Sequence, residues 1–167
     1  ILTTCDADTF FPRGWSAEVV WRYCTAGPHK RHLRIWQAPI FCVANLHDIR
    51  STIARLRYTF IGIGYTLGIF TPYQGRRIDL GVPPFSSYTL SLCLAHRAAY
   101  WNPSVIPEDA EMFLRCQFAT GGQVEVRPLD KLIGADAPVG HSSWVSLREA
   151  YNQHKRWGYG GVIFANA

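Results

Sequence analysis

The chain has 167 residues, of which 48% are hydrophobic and 17% charged, which excludes a disordered chain and allows one domain with a sizeable core. Its net charge of +5 suits polyphosphate ligands, anionic lipid headgroups or nucleic acid, although the basic residues form no dense block. The five cysteines are odd in number, lie far apart and include no Cys-x-x-Cys pair, which argues against a disulfide framework and against a zinc site.

The chain opens with an apolar, β-branched run that leads into the acidic triplet Asp6-Ala7-Asp8. This pattern predicts a buried strand that delivers both carboxylates to its C-terminal edge, where open α/β sheets bind ligands. Two carboxylates so close together repel each other unless a positive group lies between them. Mg²⁺ or Mn²⁺ carrying a phosphorylated ligand would supply that group, and simple turn chemistry is the alternative.

Helices and strands are then predicted in alternation. The apolar spacing of residues 12–26 predicts a helix that Gly27-Pro28 ends, and residues 33–41 read as a strand that stops near Pro39. Residues 45–69 form a long helical candidate whose first half interleaves arginines with apolar side chains.

The uncharged stretch 58–74 raises the question of membrane contact. It is shorter than the roughly 20 apolar residues that a spanning helix needs, and it is rich in glycine. Two interpretations remain open: an interfacial helix with arginines at headgroup level, or a core-packed helix followed by a loop that carries Arg76-Arg77 toward a ligand.

The second half of the chain continues the alternation. Residues 86–101 predict a short strand that runs into a helix, and residues 124–129 predict an alternating strand. A helix opened by Pro107 and stopped by Gly121-Gly122 lies between them, and the last helix starts at Ser142 or Ser143. The apolar face predicted for the helix after Pro107 consists of Met112, Phe113, Cys116 and Phe118.

The predicted fold class is therefore α/β, with a mixed sheet and flanking helices. The sequence contains neither a glycine-rich phosphate loop nor a nucleophile elbow.

Glu108-Asp109, directly after Pro107, is a second acidic pair. Acids are common in the first turn of a helix, where they meet the positive end of the helix dipole. The functional alternative is a carboxylate poised as a general base toward a hydroxyl acceptor.

Gln153, Arg156 and Trp157 form the third candidate group. Their three- and four-residue spacing places an amide, a guanidinium and an indole on one helical face. A guanidinium suits a pyrophosphate and an indole suits a sugar ring, whereas an ordinary amphipathic helix with a buried Trp explains the same pattern.

Taken in this order, the three motifs resemble the signature of processive family 2 glycosyltransferases with the GT-A fold. The cellulose, chitin and hyaluronan synthases and ceramide glucosyltransferase belong to this broad group. The resemblance runs from Cys5 to Trp157. It implies that residues 1–167 are a single domain, an incomplete GT-A (nucleotide-diphospho-sugar transferase-like) domain that lacks its N-terminal nucleotide-binding half. We therefore expect a fragment of a longer protein that is inactive alone.

The resemblance also implies a role for each motif. Asp8 is the expected metal ligand, with Asp6 near the ion or the nucleotide, and the cofactor is Mg²⁺ or Mn²⁺. Asp109 is the expected catalytic base and Glu108 supports it. The last group, Gln153, Arg156 and Trp157, is expected to bind the acceptor end and the leaving pyrophosphate.

These roles predict an inverting hexosyltransferase that moves a sugar from a nucleotide-sugar donor to a glycan or lipid hydroxyl, as in polysaccharide biosynthesis. The expected parent is membrane-associated with its catalytic domain in the cytoplasm, and no nucleic-acid partner is expected.

Two departures from the family pattern keep alternatives open. Pro107 stands where the family usually has Thr, and the nucleotide-binding half is missing from the sequence. The alternatives are a metal-dependent nucleotidyltransferase or phosphotransferase, and a non-catalytic carbohydrate-binding pseudoenzyme.

Overall fold

The structure, a computed structural model, describes residues 1–41, 44–70, 83–105, 107–137 and 139–165. Within these ranges the protein is a mixed α/β fold, as the alternation of elements predicts. The helices are α1 (Trp15–Thr25), α2 (Thr52–Phe70), α3 (Leu92–Arg97), α4 (Glu108–Thr120) and α5 (Ser143–Ala165). The strands are β1 (Leu2–Thr3), β2 (Arg34–Gln37), β3 (Ile40–Phe41), β4 (Tyr88–Leu90), β5 (Glu125–Pro128) and β6 (Ile133–Gly134).

Four of the strands form the main sheet, in the order β1-β4-β2-β5. Strand β4 pairs antiparallel with both β1 and β2, whereas β2 and β5 are parallel. Strands β3 and β6 form a separate parallel pair. The sheet is therefore mixed.

Helices cover both faces of the main sheet. Neighbouring residues of a strand point to opposite faces, and in β2 Ile35 and Trp36 enter two different core clusters. Ile35 packs with residues of α3 and α4, including Leu94 and Phe113. Trp36 packs with Trp15 of α1 on the other face. A third cluster joins α2 to α5.

The strand predicted to end in two carboxylates is short and only half-buried. Strand β1 has two residues, pairs with β4 alone, and lies at one end of the described sheet. The expectation of a buried strand is wrong. Both residues of β1 are half-buried, and β1 is an edge strand that has a neighbouring strand of the described sheet on one side only.

The strand predicted over residues 33–41 stops near Pro39 as expected: Pro39, which has no N–H to donate, separates β2 from β3. The predicted start of the long helix differs from the structure. The helix predicted from residue 45 begins at Thr52, because Ile49 is extended and the Ser51 hydroxyl accepts the N–H of Ala54 at 3.3 Å. Ser51 therefore caps the helix in the usual way.

Helix α4 turns three of its four predicted apolar side chains inward. Met112, Phe113 and Cys116 are buried, whereas Phe118 is 73% exposed. Residue 118 lies about 200° around the helix axis from residue 116, so the two cannot share a face. The predicted stop is confirmed, since Gly121 ends the helix with a φ of 66°.

None of the helices in the described ranges has both the length and the hydropathy that crossing a bilayer requires.

The orientation of α4 is testable with one pair of matched substitutions. Phe113→Ala removes a side chain that is 3% exposed and should lower the free energy of unfolding by about 3–5 kcal/mol. Phe118→Ala removes the same atoms from the exposed side and should change it by less than about 0.5 kcal/mol. Urea unfolding followed by circular dichroism measures both, and equal losses would contradict this orientation.

Candidate active site

The antiparallel pairing of β1 with β4 places Asp6 beside Ser86 and Ser87. Leu2 and Thr3 pair with Leu90 and Thr89, so the end of β1 lies next to the start of β4. The Asp6 N–H donates to the Ser87 hydroxyl at 3.2 Å. The first acidic motif is therefore attached to a segment 81 residues away in sequence.

Ser86 connects the first acidic motif to the second. Its hydroxyl donates to Oδ2 of Asp6 at 2.6 Å, and its backbone N–H donates to Oδ2 of Asp109 at 2.7 Å. Ser86 has a φ of 60°, which is the left-handed region that side chains other than glycine rarely adopt. Strain of this kind, on the order of 1 kcal/mol or more, persists only where surrounding contacts hold it, and it is common at functional sites.

Asp109 lies in the first turn of α4 and also contacts a buried tyrosine. The Tyr88 hydroxyl accepts the indole N–H of Trp101 at 2.7 Å, and a hydrogen-bonding interaction with Tyr88 is among the causes that lower the pKa of Asp109. Tyr88 is fully buried. Hydrogen bonds thus join Asp109 through Ser86 to Asp6, and Trp101 to Tyr88.

Burial is the main cause of an unusual proton affinity at Asp109. Burial, together with the charges of Glu108 and Asp6, raises the pKa of Asp109 to about 7, although the hydrogen bonds from Ser86 and Tyr88 act in the opposite direction. The pKa of Tyr88 is raised by its burial and by the charge of Asp109, so its phenol stays protonated. Near neutral pH, Asp109 can both lose and accept a proton.

Asp6 and Asp8 are placed differently from each other. The carbonyl of Asp6 accepts the Thr9 N–H at 3.0 Å, which closes a turn that carries the exposed side chain of Asp8. Among the residues that the structure describes, no group of three or more His, Cys, Asp and Glu side chains is arranged to hold a metal ion. Mg²⁺ often takes only one or two carboxylates and completes its shell with water and substrate phosphates. Asp6 and Asp8 offer two carboxylates of the kind that such a smaller donor set uses.

Glu108 is exposed beside Asp109, and Pro107 precedes it at the start of α4. Pro107 provides no side-chain cap, whereas a Thr at this position would offer a hydroxyl, which is a normal capping group. The carbonyl of Pro107 still accepts the Glu111 N–H at 3.1 Å. The helix thus begins normally in spite of the proline.

The third predicted group is not joined to the two acidic motifs by any hydrogen bond or ion pair found in the described part of the chain. Gln153 is half-buried and accepts a long hydrogen bond, 3.5 Å, from the hydroxyl of Tyr58 in α2. Arg156 is exposed. The backbone of Trp157 lies in α5, but its side chain lies outside the described residues. Helix α5 does contact α4, which carries Asp109.

Three residues of this site were not predicted from the sequence: Ser86, Tyr88 and Trp101. No local pattern marks them, because their partners are distant in sequence. The sole local signal is the pair Ser86-Ser87, two polar residues directly before a buried strand.

The raised pKa of Asp109 predicts how stability depends on pH. Its folded-state pKa lies above that of an unfolded Asp, so the folded chain binds the extra proton between about pH 4 and pH 7. The stabilising free energy from this bound proton is complete below about pH 4, and it is lost as the pH rises through about 7. Asp109→Asn, which carries no such proton, should be more stable than the wild type by about 2 kcal/mol at pH 8 and no more stable at pH 4.

Urea unfolding at the two pH values measures the difference. Asp48→Asn is the matched control, since that side chain is 59% exposed and should show no such pH-dependent gain. If Asp109→Asn is no more stable than the wild type at pH 8, the raised pKa of the half-buried Asp109 is contradicted.

Comparisons with protein-family models, with curated proteins and with solved structures found no significant match to this chain.

Proposed function

We propose that the chain is the catalytic part of an inverting glycosyltransferase of the family 2, GT-A type. Its reaction would move a hexose from a nucleotide-sugar donor to a hydroxyl of a glycan or lipid acceptor. The observation that carries the proposal is the contact of Ser86 with both Asp6 and Asp109. Two acidic motifs with separate predicted roles, one toward the nucleotide and one toward the acceptor, thereby lie side by side.

Asp109 is the proposed general base. A base for a sugar hydroxyl works best when its pKa is close to the ambient pH, and burial raises the pKa of Asp109 to about 7. Asp109 would take the acceptor's proton as the hydroxyl oxygen attacks the anomeric carbon. The bond from that carbon to the diphosphate oxygen breaks on the opposite face, so the configuration inverts and a nucleotide diphosphate leaves.

Tyr88 and Ser86 would keep the base in one orientation. Ser86 donates a hydrogen bond to Asp109, and Tyr88, which interacts with Asp109 so as to lower its pKa, accepts a hydrogen bond from Trp101. A base fixed in this way does not have to reorganise as the proton moves, which lowers the barrier. Glu108 would support Asp109 by raising its proton affinity.

Asp6 and Asp8 are the residues that would hold Mg²⁺ or Mn²⁺, which neutralises charge that develops on a departing diphosphate. Asp6 still has acceptor capacity beyond its bond to Ser86, since a carboxylate has about four lone-pair sites. Gln153, Arg156 and Trp157 would bind the acceptor end and the leaving group. We also propose that the parent protein is membrane-associated, with this catalytic domain in the cytoplasm.

The reaction is tested on the full-length protein, because the proposed family assignment predicts an additional nucleotide-binding half. Incubation with a panel of sugar nucleotides, Mg²⁺ or Mn²⁺ and acceptors should release a nucleotide diphosphate. Asp109→Asn should lower kcat by on the order of 10²–10⁴-fold with little change in KM for the donor. Asp48→Asn, an exposed acid on a different surface segment, is the control and should retain full activity.

The other outcomes separate the alternatives. Release of pyrophosphate instead would indicate a nucleotidyltransferase. Sugar binding without turnover would indicate a pseudoenzyme, which the substitution of Pro107 for the usual Thr favours. Unchanged turnover in Asp109→Asn would refute the assignment of the base.

A further inference from the structure

Helix α2 is apolar on two opposite sides, and this feature is independent of the proposed transferase site. Its inner side, which includes Ala54 and Tyr58, is buried in the cluster that joins α2 to α5. Its other side exposes five large apolar side chains that we call the outer stripe: Ile53, Leu56, Phe60, Ile63 and Leu67. The exposed fractions of Ile53 and Phe60 are both 69%.

The outer stripe follows the geometry of one helix face. Its members are spaced alternately by three and four residues, and at about 100° per residue they lie within one quarter of the helix circumference. Ala54 and Tyr58 lie on the side directly opposite. Since a helix that is apolar all round is normally covered, the outer stripe requires an explanation that the packing of the described residues does not supply.

Positive charge lies on both sides of the outer stripe. At about 100° per residue, Arg57 lies about 40° beyond one edge and Arg55 about 80° beyond the other. Arg57 is half-buried, and exposed Arg55 donates through its Nε to the Ile49 carbonyl. The α2 sequence contains no Asp or Glu. Arg50, just before the helix, adds a third cation and is exposed.

We propose that the outer stripe of α2 binds the surface of an anionic lipid bilayer. The apolar side chains enter the boundary between headgroups and acyl chains, and the guanidinium groups of Arg55 and Arg57 contact lipid phosphates. Flanking cations without acids are the pattern that this surface requires, because long basic side chains reach to the headgroups while their helix lies in the interface. The buried inner side fixes α2 along the domain, so the helix lies flat against the bilayer.

Sedimentation of the full chain with lipid vesicles tests the proposal. We expect the protein to bind vesicles of phosphatidylcholine and phosphatidylserine in equal amounts, more weakly at high salt, and to bind vesicles of phosphatidylcholine alone much less. The double substitution Leu56→Ser and Phe60→Ser should weaken binding by on the order of tenfold or more. Arg55→Gln and Arg57→Gln should weaken it about fivefold each and reduce its dependence on salt.

Two matched controls distinguish binding through the outer stripe from nonspecific adsorption of the protein to vesicles. Phe118→Ser removes an equally exposed phenyl ring from α4, and Arg13→Gln removes an exposed cation near the start of α1. Neither change should affect binding to vesicles.

Three results would overturn the proposal. The first is failure of the vesicle assay: either the protein does not bind phosphatidylserine vesicles, or the Leu56 and Phe60 substitutions leave its binding unchanged. The second is a dimer, detected by analytical ultracentrifugation, that Phe60→Ser dissociates, because a second copy would then cover the stripe. The third is a loss of folding stability in Phe60→Ser as large as that of a core substitution, because the chain itself would then cover it.

Discussion

The pairing of β1 with β4 is the contact on which the candidate site depends. It sets Asp6 against the start of β4, where Ser86 donates its hydroxyl to Asp6 and its backbone N–H to Asp109. Helix α4 is fixed in turn by its buried face, with Phe113 in the core beneath the sheet. Strand pairing and helix packing therefore both fix the position of Ser86. These contacts also maintain its strained backbone conformation, which has a positive φ.

The same arrangement places like charges together at a cost to stability. Asp109 is half-buried, and Asp6 and Glu108 add negative charge nearby, so desolvation and repulsion disfavour its ionised form in the folded protein. The hydrogen bonds from Ser86 and Tyr88 offset only part of that cost. A carboxyl whose pKa is shifted by burial and by named neighbours is typical of a catalytic position, although structural ion clusters shift pKa values as well. This is the physical reason for preferring a catalytic role at Asp109 over a helix-capping role.

Local signals in the sequence predicted an element boundary correctly where the residues that decide it are adjacent. Gly121 ends α4, and α5 begins at Ser143 as its serines indicate. The acidic motifs were also visible, as Asp6 and Asp109 each sit at the end of an element. What joins them was not visible, since Ser86, Tyr88 and Trp101 have no local pattern and meet their partners only through the β1–β4 register. Phe118 was misassigned because apolar character alone does not say which side of a helix faces the core.

Titration of Asp109 tests most directly the claim that the two acidic motifs form one site. Carbon-13 NMR of the labelled Asp carboxyl groups follows each pKa, and Asp109→Asn identifies the resonance. We expect Asp109 to titrate near pH 7. Asp6→Asn should lower the pKa of Asp109 by removing a negative charge, and Tyr88→Phe should raise it by removing a hydrogen-bond donor. If Asp109 titrates near pH 4, as an exposed Asp does, and neither substitution changes its pKa, the two acidic motifs do not form one site.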